Sequence, residues 1–102
     1  MHPSIETKRL DIAQLCVRYR VSRLDLFGSG TGDSFDPARS DLDFLVQFQA
    51  MSPIEQADCF FGLKEGLEAV LDRPVDLVEL APIRNPYLLA AIESTRIQVY
   101  AA

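Results

Sequence analysis

The sequence predicts a small α/β (α+β) domain in which helices pack on a β-sheet. Three observations predict it: short β-rich runs with alternating faces, longer segments with apolar residues at helical spacing, and breaks rich in Gly, Pro or Asp between them. The predicted order, α-β-loop-β-α-β-α-β, describes a sheet with helices packed against it. Because the chain has 102 residues, we expect 1–102 to form a single domain.

The first half of the chain predicts one helix and two strands. Residues 4–19 have helical periodicity, and the apolar face of this helix contains Ile5, Ile12, Leu15, Cys16 and Tyr19. Residues 23–28 and 42–49 are predicted strands with alternating faces. Residues 28–40 contain three glycines and one proline, so we predict a loop between these strands.

The second half begins with a strong helix start at Ser52. This residue is a preferred helix cap, Pro53 suits the first helical position, and Glu55 follows the cap by three residues. The helix should run to about residue 71 and bury Ala57, Phe60, Leu63, Leu67, Val70 and Leu71. A break at 72–74 precedes a third strand over 75–80, and a last helix and a short strand should follow from Asn85.

Composition limits the classes of function. The net charge of −5 argues against direct nucleic-acid binding, which needs clustered Lys and Arg. No apolar run has the length of a membrane span and no signal-peptide pattern is present, so we expect a cytoplasmic protein without a membrane partner. Cys16 and Cys59 are predicted to be small buried side chains without a disulfide, and His2 is the single histidine, which excludes histidine acid–base chemistry.

Two aspartates at the start of the second strand are the most informative candidate site. Asp41 and Asp43 are two positions apart, so in a strand they project from one face with Cα atoms ~7 Å apart. Carboxylates at this spacing can share a divalent cation or bracket two. The alternative is a pair of solvated residues at a strand edge, although Asp is a poor strand former and like charges on one face repel.

A Gly-Ser pair ends the first strand, where a phosphate could lie. Gly28-Ser29 does not belong to a phosphate-binding P-loop, because no Gly-Lys-Ser/Thr follows. A dinucleotide-binding βαβ unit is excluded, because the dozen or so residues before the next strand are too few for the helix that this unit requires. Asp76 on the third strand is the candidate third carboxylate, and its rivals are Asp25, Asp33 and Asp36.

These motifs together resemble one known superfamily. Gly28-Ser29, a loop and residues 40–46 (SDLDFLV) resemble the Gly-Ser…Asp-x-Asp signature of polymerase-β-type nucleotidyltransferases. Residues 74–78 (PVDLV) match the position of the third carboxylate. The tail over 83–100 is similar to that of the minimal nucleotidyltransferases, small antitoxins paired with HEPN-family toxins.

The resemblance implies a polymerase-β-like fold, a mixed sheet with the site at one end. It implies two Mg²⁺ ions held by Asp41, Asp43 and Asp76, with ATP as the substrate and Gly28 and Ser29 on its triphosphate. The reaction implied is Mg²⁺-dependent transfer of AMP from ATP to a hydroxyl, with pyrophosphate leaving. The acceptor implied is a tyrosine of a partner HEPN ribonuclease toxin.

The chain departs from the family pattern in two places. Members usually carry an Arg-Gly pair shortly after the Gly-Ser, where this chain has residues 30–33 (GTGD). Eleven residues instead of ten separate Ser29 from Asp41. A guanidinium is hard to replace at a phosphate, and Arg39 is the candidate substitute.

Two other functions stay open at the level of sequence. One is an antitoxin that neutralises its partner by direct binding without catalysis, and the other is nucleotide transfer to a small molecule such as an antibiotic. The second is disfavoured because the chain has little room for an acceptor domain. Tyr87 and Leu88 in the last helix are candidate partner-facing residues.

Overall fold

A computed structural model describes residues 3–27, 42–79 and 85–102 of the protein. Helices and strands follow the predicted order, with the first helix divided in two. In chain order the elements are α1 (Pro3–Glu6), α2 (Arg9–Arg18), β1 (Val21–Phe27), β2 (Leu42–Phe48), α3 (Pro53–Leu71), β3 (Val75–Glu79), α4 (Pro86–Thr95) and β4 (Ile97–Ala101).

The four strands form one mixed sheet in the order β3-β2-β1-β4. β1 is antiparallel to both β2 and β4, whereas β2 and β3 are parallel. The chain passes from β2 to β3 through α3, as a parallel pair requires a long crossover. The expected fold class, a mixed sheet with packed helices, is confirmed.

One face of the sheet is apolar and covered by α1, α2 and α3. Strand residues at alternate positions point to this helix-side face and are almost fully buried, among them Leu24, Leu26, Leu42, Phe44, Val46, Val75 and Leu77. Ile5 of α1, Ile12 and Cys16 of α2, and Leu63 and Leu67 of α3 complete this core. Alternation sends Asp25, Asp43 and Asp76 to the opposite face, which we call the carboxylate face.

The helices α2 and α3 approach each other closely at two glycines. A Cβ atom added at Gly62 would lie 2.4 Å from a ring carbon of Tyr19, and one at Gly66 would lie 2.7 Å from a methyl of Leu15. Both distances are far below van der Waals contact. Glycine therefore permits this helix–helix spacing.

The predicted start and end of α3 are confirmed. The Ser52 hydroxyl accepts a hydrogen bond from the Glu55 backbone N–H at 3.2 Å and donates one to the Glu55 carboxylate at 2.8 Å, so Ser52 caps the helix. Asp72 ends the helix with a left-handed backbone conformation, φ 54°. Asn85 likewise caps α4 by accepting from the N–H groups of Tyr87 and Leu88.

Two details of the predicted helices were wrong. The helix predicted over 4–19 is broken at residues 7–8, where the Lys8 N–H bonds to the Ile5 carbonyl and a new helix begins at Arg9. Ala57 was expected in the core but is exposed, because it lies on the side of α3 that borders a surface groove. Leu63, Leu67 and Leu71 are buried as predicted, and Phe60 and Val70 are half-buried.

Cys16 and Cys59 are free thiols in different surroundings. Cys16 is buried in the core, and burial raises the pKa of its thiol to about 12. Cys59 is half-buried. Among the described residues, none of the helices combines the length and apolarity that a membrane crossing needs.

Candidate active site

Asp43 and Asp76 lie side by side on the carboxylate face. They are register partners in the parallel pair β2–β3, so their Cα atoms are about 4.8 Å apart across the sheet and their side chains leave the same face. Asp43 is half-buried and Asp76 is exposed. The expectation that the strand of Asp76 neighbours the strand of Asp43 is confirmed.

The backbone around this pair fixes both strands at one edge of the sheet. The Leu42 N–H donates to the Pro74 carbonyl at 3.3 Å, which joins the first residues of β2 and β3. Glu68 of α3 accepts the Val75 N–H at 3.1 Å and so holds the start of β3 against the helix. Phe27, the last residue of β1, is paired with Asp43. The first strand therefore ends beside the carboxylate pair.

Four predicted site residues lie outside the described part of the chain. These are Gly28, Ser29, Arg39 and Asp41, and their roles stay predictions. Of the three predicted carboxylates, Asp43 and Asp76 lie within the described residues, and the structure shows that they are neighbours. Within 3–27, 42–79 and 85–102, no three His, Cys, Asp or Glu side chains converge as a metal cluster.

The donor chemistry of the pair nonetheless suits a hard divalent cation. Mg²⁺ prefers carboxylate oxygens and is usually held by one or two of them together with water and substrate phosphates. Two carboxylates that leave one face from neighbouring strands meet that requirement. Asp41 would add a third oxygen donor in the predicted set.

Asp25, one of the alternatives to Asp76 as the third carboxylate, has a structural role. Its side chain is fully buried, and it accepts hydrogen bonds from Arg23 Nε at 3.0 Å and Arg96 Nε at 2.7 Å. A carboxylate bound by two guanidinium groups is already neutralised and has no need of a metal ion. Asp33 and Asp36 lie outside the described residues.

Arg96 is the residue that sequence reasoning missed. It follows α4 and bonds to both Asp25 and Glu93. Burial of the guanidinium lowers the pKa of Arg96, but the hydrogen bonds that it donates to the two carboxylates have the larger combined effect. The pKa of Arg96 is therefore raised. Because Asp25 and Arg96 are 71 residues apart, no local pattern could have connected them.

Comparison with known proteins identifies the family. The nucleotidyltransferase domain family matches residues 12–99. A Methanocaldococcus jannaschii protein, provisionally named a protein adenylyltransferase, is 34% identical over 82 residues, which are 80% of each chain. The chain therefore belongs to the nucleotidyltransferase domain family, and the suspected resemblance is confirmed.

Solved structures agree with this fold. The structure of a protein provisionally named a minimal nucleotidyltransferase has a TM-score of 0.68 against this chain. It is 30% identical and covers 94% of this chain and 96% of its own. A chain in the structure of a tri-AMPylated Shewanella oneidensis HEPN toxin with its MNT antitoxin has a TM-score of 0.64 and 21% identity, covering 96% of this chain and 73% of that one. A chain in a toxin–antitoxin structure with AMP-PNP gives 0.66 and 23%, covering 92% and 73%. The last two show a shared fold.

Proposed function

We propose that this protein is an antitoxin-type nucleotidyltransferase. It transfers AMP from ATP to a hydroxyl, a tyrosine, of a partner HEPN ribonuclease toxin in a Mg²⁺-dependent reaction. The observation that carries the proposal is the in-register pair Asp43–Asp76, on one face of the sheet in a chain of the nucleotidyltransferase family. We infer that residues 1–102 form its single domain and that it acts in the cytoplasm.

The roles of the site residues follow from their chemistry. Asp41, Asp43 and Asp76 would hold two Mg²⁺ ions. Bound Mg²⁺ neutralises charge on the transferring phosphate and lowers the pKa of the attacking hydroxyl. Asp76, the exposed member of the pair, would accept the hydroxyl proton. Gly28, Ser29 and Arg39 would contact the triphosphate of ATP.

The transfer itself is a displacement at the α-phosphorus of ATP. The acceptor oxygen forms a bond to this phosphorus, the bond to the pyrophosphate oxygen breaks, and the hydroxyl proton leaves to the carboxylate. Its support comes from relatives whose names describe adenylyl transfer, AMP-PNP or an AMPylated HEPN toxin.

A transfer assay tests the proposal. Purified protein is incubated with labelled ATP, Mg²⁺ and the HEPN protein encoded by the neighbouring gene, and we expect the label on that protein. The double variant Asp41→Ala/Asp43→Ala should transfer none, whereas Asp11→Ala, which removes an exposed carboxylate on α2, should match the wild type. An unlabelled acceptor with wild type and double variant alike would refute catalysis.

The second candidate is an antitoxin that acts by direct binding alone. The observation that favours it is the sequence at 30–33 (GTGD), which lacks the usual phosphate-binding arginine. Calorimetry with Mg²⁺-ATP separates the two functions, because a site without nucleotide function shows no binding in the millimolar range. In cells, Asp41→Asn would still protect against the toxin if occlusion suffices, and would not if catalysis is required.

A further inference from the structure

A groove on the outer side of α3 is unused by the proposed chemistry. Its walls are Pro53, Gln56, Ala57, Phe60 and Phe61 of α3 and Glu79 at the end of β3, and it encloses about 450 Å³. We call it the α3 groove. Four of the six lining residues are apolar, so it can accept an apolar side chain from another molecule.

The helix beside the groove exposes large apolar side chains in a regular pattern. Phe61 is 62% exposed and Ile54 is 78% exposed. They are seven residues apart, so they lie on the same side of α3, about 10.5 Å apart along its axis. Phe60 packs against the core and meets the Phe61 ring edge to face, with ring centres 5.3 Å apart. The exposed Phe61 ring therefore contacts a ring that packs against the core.

The surroundings of these apolar residues are acidic. Asp58 and Glu65 are exposed on the same side of α3 as Ile54 and Phe61 by helical periodicity. Glu79 forms the far wall, where the Gln56 amide donates to its carboxylate at 2.6 Å. An apolar strip with carboxylates on its margin is complementary to an apolar surface flanked by Lys or Arg.

The groove and the candidate active site lie on opposite faces of the sheet and toward different ends of β3. Glu79 follows Asp76 by three residues on β3, a distance of about 10 Å along the strand. Glu79 faces the helix side and Asp76 the carboxylate face, and β3 is an edge strand of the described sheet. A protein bound in the groove can therefore extend around this edge to the carboxylate pair.

We propose that the α3 groove docks the protein that accepts AMP. The docking element is an amphipathic helix of that protein, with apolar side chains seven residues apart that meet Ile54 and Phe61 and with Lys or Arg beside them. This inference rests on the proposed function, because it names the surface by which that acceptor is held. Aromatic side chains in the centre of such surfaces contribute most to affinity.

Binding measurements with the HEPN protein of the neighbouring gene test the surface. We expect Phe61→Ala to weaken binding about thirty-fold and Asp58→Lys/Glu65→Lys to weaken it about ten-fold, with a smaller charge effect at high salt. Leu10→Ala is the matched apolar control, because Leu10 is 81% exposed on α2. Asp11→Lys on the exposed side of α2 is the matched charge control. Both controls should bind within two-fold of the wild type.

Three results would overturn the docking surface. The first is wild-type affinity in Phe61→Ala, and the second is an equal or larger loss in Leu10→Ala. The third is an isolated protein that forms a dimer and is dissociated by Phe61→Ala, because the occupant of the groove would then be a second copy. Thermal unfolding of every variant checks that the fold is retained.

Transfer kinetics separate this inference from the proposed function. If Phe61→Ala raises the KM for the acceptor and leaves kcat unchanged, both hold. Phe61-dependent binding without AMP transfer by any variant would remove the catalytic function and keep the surface. Transfer with the same KM in Phe61→Ala and the wild type would remove the surface and keep the function.

Discussion

Two ends of the carboxylate face carry the same chemical group in opposite situations. On β1, Asp25 is fully buried and bound by the guanidinium groups of Arg23 and Arg96. On β2 and β3, Asp43 is half-buried and Asp76 is exposed. Asp25 lies only one or two strands away from the other two aspartates. It is buried and bound by protein cations, whereas Asp76 is exposed and accessible to a metal ion or a substrate.

The contrast gives a criterion for assigning roles to aspartates on one sheet. A buried carboxylate with two arginine partners stabilises the fold as long as both partners remain. An exposed carboxylate such as Asp76 instead contributes little to stability and is accessible to a cation or a substrate. By this criterion Asp25 belongs to the fold, and the pair Asp43–Asp76 belongs to the site.

The largest expected effect comes from Asp76→Asn. Transfer of AMP should fall on the order of a thousand-fold, about 4 kcal/mol, because the amide neither accepts the proton nor balances the charge of a cation. The free energy of unfolding should change by less than about 0.5 kcal/mol, because Asp76 is exposed. Initial rates with labelled ATP and urea unfolding measure the two quantities. A large loss of stability here would contradict the division between site and fold.

The second effect is on stability and comes from Asp25→Asn. The amide leaves two guanidinium groups without their buried partner, and we expect the free energy of unfolding to fall by about 3 kcal/mol. Glu93→Gln is the control, because it removes the exposed partner of the same Arg96 and should cost less than about 1 kcal/mol. An Asp25→Asn protein of normal stability that has lost transfer would place Asp25 in the active site.

A third effect tests the helix side, where an ionisable group is kept neutral. Burial raises the pKa of Cys16 from 9.0 to about 12. An acid whose pKa is raised in the folded state ionises first in the unfolded state. The free energy of unfolding is therefore unaffected below the unfolded pKa and falls as the pH rises above that value. At pH 10 the loss is about 1.4 kcal/mol. Urea unfolding at pH 8 and pH 10 should show this loss in wild type and Cys59→Ala, and a smaller one in Cys16→Ala.

The smallest effect is expected from Gly62→Ala. The added Cβ would contact the Tyr19 ring at 2.4 Å, and crowding of this kind costs typically about 2 kcal/mol. The better helix propensity of Ala returns up to about 1 kcal/mol, so the net loss should be about 1 kcal/mol. Thermal unfolding measures it, and transfer should be unaffected below the melting temperature. A loss of transfer in the folded variant would mean that the helix layer and the site are coupled.

Features with a local cause could be predicted from the sequence. Ser52, Pro53 and Glu55 form the start of α3 because the cap needs only residues within four positions. Asn85 begins α4 for the same reason. The alternation of Leu42, Asp43 and Phe44 predicts the two faces of β2 correctly. The pairing of the strand that carries Asp76 with the strand that carries Asp43 could also be predicted, because two β-strands joined by one helix commonly pair in parallel.

Features that depend on distant residues could not be predicted. Asp25 has the same local alternation as Asp43, and only the approach of Arg96 from the other end of the chain distinguishes them. The break at residues 7–8 was missed because Ile5 and Ile12 keep helical spacing across it and both are buried. Ala57 was placed in the core from periodicity alone, which does not show that this side of α3 borders a surface groove.

The position of Asp76 opposite Asp43 depends on the parallel register of β2 and β3, and this register depends on the number of residues that connect the two strands. Because side chains alternate along a strand, loss of one residue between Leu71 and Val75 would slide β3 and turn Asp76 toward the helices. The extra residue between Ser29 and Asp41 lies before β2 and leaves Asp43 opposite Asp76. Insertions upstream of the pair are therefore compatible with it, whereas a change of one residue at the exit of α3 is not.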